Sequence, residues 1–458
     1  MSTLTRVFRH HPEILRHLWL EISPLRLLIV PFVLILVAAM SWTEKSSYYD
    51  NLGRILTVLR LSTVLILFVY GSWLAAQSFL SEVNGNTWVF QRLSAIPPWR
   101  MTLGKLFGGP IYAWYGALIS GGLYLLVLQT CDLSILAKNR NFQTPYLSLV
   151  AIVAGGLLSH ALSILVAIAI SRRSQGRDKT NAFFSVFLGG FLATYLWSYA
   201  LRLTPVYWFW QESTEAMSGI LTVGTLTIFA ILGVGSEIKG ELSRPSLPWV
   251  YPLFAVVLTV LIAGFSVGDE DINYITVLQW PLLIFGALTL LLAMAHRHDP
   301  VEFRHLLQTY RERKFTDLLR SLPIWLVSFA ILTGLGLIAL ALRSGVESSV
   351  TPTAIWFVKD VSLDPLKLLF LAARDVSLII LIGLQLKRRH ADLMLFFCFG
   401  LLYVVFPTLF VSSSAKTLFM AFYPITNSSD QGPLTLLAVV AQALFAGGTC
   451  AILLTKRR

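Results

Sequence analysis

Charge is scarce in this 458-residue chain: Asp, Glu, Lys and Arg make up 13% of it, against 56% hydrophobic residues. A soluble domain carries about a quarter charged residues, so an ordinary water-soluble globule is excluded. Cysteine is nearly missing too. Three thiols, Cys131, Cys398 and Cys450, give no disulfide framework and no metal-ligand spacing. The polar segments hold no acid pair, histidine cluster or nucleophile–base spacing, so no catalytic residue is assigned. None of them reaches about 30 residues, and a separately folding domain needs about 50. The phosphate-binding pattern G-x-x-x-x-G-K-[ST] is also absent: Gly104-Lys105 runs into Leu106 and lacks the earlier glycine.

What the chain has is long apolar runs, at 25–42, 55–79, 104–129, 146–170, 182–201, 218–236, 249–267, 275–295, 323–342, 367–386, 392–412 and 434–454. A helix needs about 20 apolar residues to cross a bilayer, and a barrel strand shows only about 10 alternating ones. The expected fold is therefore all-α: a polytopic transmembrane bundle of about twelve spans with no metal site.

The formal charge of +12 does not point to nucleic acid, because the basic residues gather at the ends of apolar runs. With both termini cytoplasmic, 25 of the 36 Lys and Arg residues fall inside, and acidic "SVGDEDINY" at 266–274 falls outside. That is the positive-inside bias, and it orients the chain. The expected location is a cell membrane of the bacterial inner-membrane kind, with lipids as partners. Residues 1–24 are rich in Arg and His, so no cleaved signal peptide is expected.

Two segments read as helices lying in the interface. In "PEILRHLWLEI" at 12–22, Ile14, Leu15, Leu18, Trp19 and Ile22 share one face, with Arg16, His17 and Glu21 opposite. At 299–319, Asp299 and Glu302 bracket Pro300 as a capping box, and Arg304, Arg311, Arg313 and Arg320 can meet anionic headgroups. The aromatic stretch 204–219 is either an interfacial belt or a short outer helix dipping back into the bilayer edge. Glycine pairs such as 108–109 and 155–156 favour close helix packing.

The polar segment "SEVNGNTWVFQRLSAIPPWRMTLGK" at 81–105 is more than a connector. Thr87 can cap a short helix through Trp88, Phe90 and Arg92; Pro97 and Pro98 end it stiffly; Gly104 and Lys105 open the third span. The order of parts is an interfacial helix, then an acid (Glu82) and Thr-Trp after span 2, a short helix, a Pro turn and Gly-Lys. It resembles the membrane subunit of a type-2 ABC exporter over about residues 8–240. The resemblance implies that this loop fits a groove of a separate ATPase subunit and carries its motion to the spans. ATP and magnesium would then sit on that partner, with no cofactor on this chain. Residues 1–245 would form an exporter-permease-like half; 246–458 would add six spans that do not repeat the first six cleanly. Twelve spans are either a whole pathway or half of one with six accessory spans, so a homodimer or a second permease chain is a possible partner.

Ionisable residues at membrane depth are the remaining candidates. Arg374 and Asp375 in the tenth span are open between a polar translocation route and structural pairing. His160 reads as a neutral imidazole bonded to a backbone carbonyl, and Arg60 as snorkelling outward. Three functions stay open: the exporter permease, an ion-coupled secondary transporter, and a membrane-embedded lipid or glycan transferase.

Overall fold

The computed structural model describes residues 12–21, 23–44, 48–93, 96–130, 145–174, 189–191, 194, 205–208, 211–242, 249–266, 274–296, 298–344, 361–385, 388–411, 421–423, 425–427 and 432–456. Ile22, most of the 182–201 run and most of the acidic 266–274 loop lie outside that set. The chain divides into two compact units: Met1–Val206 with Gln211–Ser246, and Tyr207–Trp210 with Leu247–Arg458.

In the first unit, α1 (Pro12–Glu21) bends by 72° into α2 (Pro24–Met40). Ser23 caps α2 by accepting from the Arg26 N–H, and Pro24 occupies a first-turn position where its missing donor is not needed. The long α3 (Tyr48–Asn84) is π-helical at Leu65–Gly71. After it come α4 (Trp88–Leu93) and α5 (Pro98–Leu103), then a π-helical turn, Gly104–Gly108, that leads into α6 (Ile111–Thr130). Next are α7 (Pro145–Ser174), the short strands β1 (Pro205–Trp208), whose last two residues are counted with the second unit, and β2 (Gln211–Thr214), and α8 (Glu215–Glu241). The core sits between α3, α7 and α8, with Phe79, Leu80, Leu158, Ile164, Val234 and Ile238 buried together. The close approach is made by glycine: a Cβ on Gly155 would meet the Phe68 ring at 2.6 Å.

The second unit holds α9 (Val250–Ser266), α10 (Tyr274–Ala295), α11 (Pro300–Arg311), α12 (Phe315–Ser321) and α13 (Ile324–Ser344). It continues with β3 (Val361–Leu363), α14 (Pro365–Gln385) and α15 (Arg388–Gly400), which runs through π-helical Leu401–Val405 into α16 (Phe406–Val411). It closes with β4 (Ile425–Asn427) and α17 (Gly432–Lys456); β3 pairs antiparallel with β4, Ser362 opposite Thr426. Trp325, Ile379, Ile382 and Leu395 pack its core.

Among the described residues, eight helices are long and apolar enough to cross a membrane, and α1 with α2 as one bent span would make nine. Val250–Gly264 and Leu393–Leu409 are apolar but shorter than 18 residues. At 1.5 Å per residue, such a helix falls short of a hydrocarbon core of about 30 Å.

Two local expectations change. The 299–319 segment is not one helix. Asp299 does accept from the Val301 N–H at 3.0 Å, but the chain turns at Arg313, in the left-handed region with φ 55°. In 204–219, residues 205–208 and 211–214 are strands, so the described part is no outer helix before α8 begins.

Candidate functional site

Glu82 closes α3 and Lys105 opens the π-helical turn before α6, so the two ends of the 81–105 loop return to one place. Lys105 is fully buried. Its Nζ lies 2.7 Å from Glu82 Oε1 and 2.9 Å from Glu13 Oε1, and it donates to the Ser78 carbonyl at 2.9 Å. Arg16 completes the cluster, 2.9 Å from Glu13 and hydrogen-bonded to Glu82 Oε1. A buried ammonium is tolerable only with opposite charge and satisfied N–H groups; here two carboxylates and a carbonyl supply both.

Glycine makes the contact possible. A Cβ on Gly104 would sit 2.6 Å from Glu13 Cβ, and one on Gly108 would sit 3.1 Å from Ile14 Cα. α1 therefore lies directly on the π-helical turn. Burial by itself would raise the Glu13 carboxyl, but the His17 hydrogen bond and the Lys105 and Arg16 charges outweigh it and hold the pKa at about 2.

Sequence reasoning missed Glu13, Arg16 and His17 as site residues. It placed His17 on the polar, outward face of α1, whereas Glu13, Ile14 and His17 are the buried residues of that helix. Leu15 and Leu18 are half-buried, and Trp19 is exposed. The available signal was Lys105 itself, since a lysine entering an apolar span needs a carboxylate, but nothing along the chain singled out Glu13, in the first turn of α1.

Between these ends the loop is held at several points. Asn86 takes a left-handed φ of 56°, a conformation that asparagine tolerates. The Thr87 hydroxyl and N–H both donate back to the Glu82 carbonyl, at 3.1 and 2.8 Å. Trp88 turns inward, edge-on to Phe79 at 4.8 Å between ring centres. Arg92 reaches Glu241 of α8 at 3.3 Å, and Glu241 also accepts from Arg172 of α7 at 2.6 Å. Pro97 accepts from the Arg100 and Met101 N–H groups, and Pro98 is the first residue of α5. Facing away from this anchorage, Val89 is 56%, Phe90 71% and Leu93 80% exposed.

The other candidates lie elsewhere. His160, in α7, is buried with Nε2 donating to the Leu67 carbonyl at 2.9 Å, inside the π-helical stretch of α3. In the second unit, Arg374 Nε donates to Asp375 Oδ1 at 2.8 Å and Nη1 to Gln442 of α17 at 2.6 Å. The Tyr403 hydroxyl, from the π-helical turn after α15, donates to Asp375 Oδ2. The adjacent Arg and Asp thus pair with each other, although neighbouring helix positions point about 100° apart. No group of three or more His, Cys, Asp or Glu able to hold a metal occurs among the described residues.

Fold and composition define a multi-pass α-helical membrane protein. Comparison with protein-family models, curated proteins and solved structures found no match.

Proposed function

We propose that this chain is the permease subunit of an ATP-driven ABC transporter of the type-2 exporter kind, moving a hydrophobic or amphipathic substrate. It works in a bacterial inner membrane with both termini cytoplasmic. Residues 1–245 form the exporter-like half. ATP and magnesium act on a separate ATPase, and a homodimer or second permease chain can share the pathway.

One observation carries this reading: buried Lys105, Glu13 and Glu82, with Arg16 at their edge, join the interfacial helix to both ends of the 81–105 loop. A force on α4 is then delivered to α1, α3 and α6 together. The exposed Val89, Phe90 and Leu93 supply the apolar knob such a partner would grip. Trp88, by contrast, is a foundation residue, since its ring is buried against Phe79.

Affinity purification from the native membrane tests the reading. The wild-type chain should bring down an ATP-hydrolysing subunit, and Phe90→Glu/Leu93→Glu should lose it with the fold intact. No ATPase with the wild type would sink the proposal. The Arg374–Asp375–Tyr403 network favours the ion-coupled transporter as second reading, with Arg374 and Asp375 as its candidate polar groups in the second unit and His160 as the candidate in the first. That reading requires transport to stop when the ion gradient is collapsed with ATP present.

A further inference from the structure

The first and second halves of α3, Tyr48–Val64 and Ser72–Asn84, are α-helical, and seven π-helical residues, Leu65–Gly71, part them. Such turns are rare and recur at functional sites. At the exit the Ser72 N–H bonds to the Val69 carbonyl, three residues back, and so serves neither the Phe68 nor the Leu67 carbonyl. Both of those are met from outside the helix. The Ser159 hydroxyl of α7 donates to the Phe68 carbonyl at 3.1 Å, and His160 Nε2 beside it donates to the Leu67 carbonyl at 2.9 Å. Ser72 and Ser159 also bond to each other through their hydroxyls. Ser72, Ser159 and His160 are fully buried, where a carbonyl left without a donor keeps its desolvation cost.

The two halves of α3 belong to different packed bodies. Leu52, Leu56 and Leu59 of the first half pack with Tyr124 and Leu128 of α6, whereas Phe79 and Leu80 of the second sit in the core with α7 and α8. Between them the π-helical stretch lies against glycine. A Cβ on Gly156 would stand 3.0 Å from Leu67 Cβ, and one on Gly71 would collide with the His160 ring, so His160 reaches its carbonyl only past a glycine. Helices bend where the i→i−4 ladder is interrupted, and here the interruption falls between two separately anchored halves.

We propose that Leu65–Gly71 is a joint within α3, with Ser159 and His160 as its catch. While both hydrogen bonds are made, the two halves are held in one arrangement. Once both are released, the second half moves against the first and carries Glu82 with it. The contacts behind this lie in the first unit alone; only the use of the joint to move the 81–105 loop rests on the function proposed above.

Amide hydrogen exchange of the purified full chain in detergent micelles, resolved by peptide, tests the joint with no ATPase present. In Ser159→Ala/His160→Phe the amides of 65–73 should exchange faster by about tenfold or more, with 48–60 and 76–84 within about twofold of wild type. His160→Gln keeps an N–H donor where the ring nitrogen stands and should hold the wild-type rate. Thr227→Val removes a comparable contact to α7, the hydroxyl that donates to the Ala154 carbonyl at 3.1 Å, and should leave 65–73 unchanged. A π-helical turn holds one residue more than the α-helix it replaces. Deleting Val69, exposed within the stretch, should therefore restore a regular helix, slow exchange at 65–73, and abolish the effect of the double substitution. Unchanged exchange in the double variant, equal acceleration by Thr227→Val, or acceleration alike through 48–84 overturns the joint. So does a Val69 deletion that unfolds the first unit, as it would in an unbroken helix, where every residue beyond it turns by about 100°.

Discussion

Replacing Lys105 with Met removes the ammonium and keeps most of the side-chain volume, so the packing around α1 and α6 has little reason to change. The electrostatics change greatly. Glu13 and Glu82, with side chains 5% and 7% exposed, would face each other across the vacated position. Arg16 alone would remain, and at 41% exposed it is a partly screened counterion. Removing one partner of a buried pair costs about 3–5 kcal/mol, because the charge left behind keeps its desolvation penalty. For a body the size of the first unit that corresponds to a fall of about 6–20 °C in Tm. Unfolding of the purified full chain, followed by tryptophan fluorescence, measures it. The penalty belongs to the leftover charges, so adding Glu13→Gln and Glu82→Gln should restore at least half of the loss. A Lys105→Met chain within about 1 kcal/mol of wild type would refute the buried ion cluster outright.

Acid should act through Glu13. Its folded pKa of about 2 lies below the ordinary 4.5, so its contribution is complete above 4.5 and is lost as pH falls through 2. The stability gap between wild type and Glu13→Gln should narrow across that window by about 3 kcal/mol, at 1.36 kcal/mol per unit; a gap independent of pH would contradict the assignment. Gly104→Val puts its branch against Glu13, where a Cβ alone would stand 2.6 Å from Glu13 Cβ, and should destabilise by about 1–3 kcal/mol in the same unfolding assay. Asp375→Asn strands Arg374, itself 2% exposed, and should lower stability by about 3–5 kcal/mol. Arg374→Met/Asp375→Leu together should come within about 1 kcal/mol of wild type, and a double variant as damaged as the single would show that charge is not what matters.

The helices were legible because apolar runs of span length leave little alternative. Their ends and interruptions were not. A π-helical turn adds one residue to a helix, and hydrophobic periodicity carries too little signal to reveal Leu65–Gly71, Gly104–Gly108 or Leu401–Val405. At the loop, Glu82, Trp88 and Lys105 could be read from their order along the chain. The partner of Lys105 could not, because Glu13 meets it only after α1 folds back onto Gly104. The amphipathic reading of α1 turned His17 to water, and tertiary pairing reversed it. For Arg374 and Asp375 the sequence left a polar route and structural pairing both open, because neighbouring helix positions diverge by about 100°. An arginine side chain is long enough to reach back, and the two are hydrogen-bonded to each other, to Gln442 and to Tyr403.

The cluster around Lys105 gathers two carboxylates and two cations whose formal charges sum to zero. A lone ion carried across a gradient of polarity meets a large change in solvation energy, whereas a neutral quartet of fixed geometry meets much less. Its four members also come from three stretches of chain, so none can slide without the others. The region where α1, α3 and α6 meet therefore behaves as an electrically neutral block. On the coupling role proposed above, a push on the 81–105 loop would move it as one piece with its ion pairs unbroken.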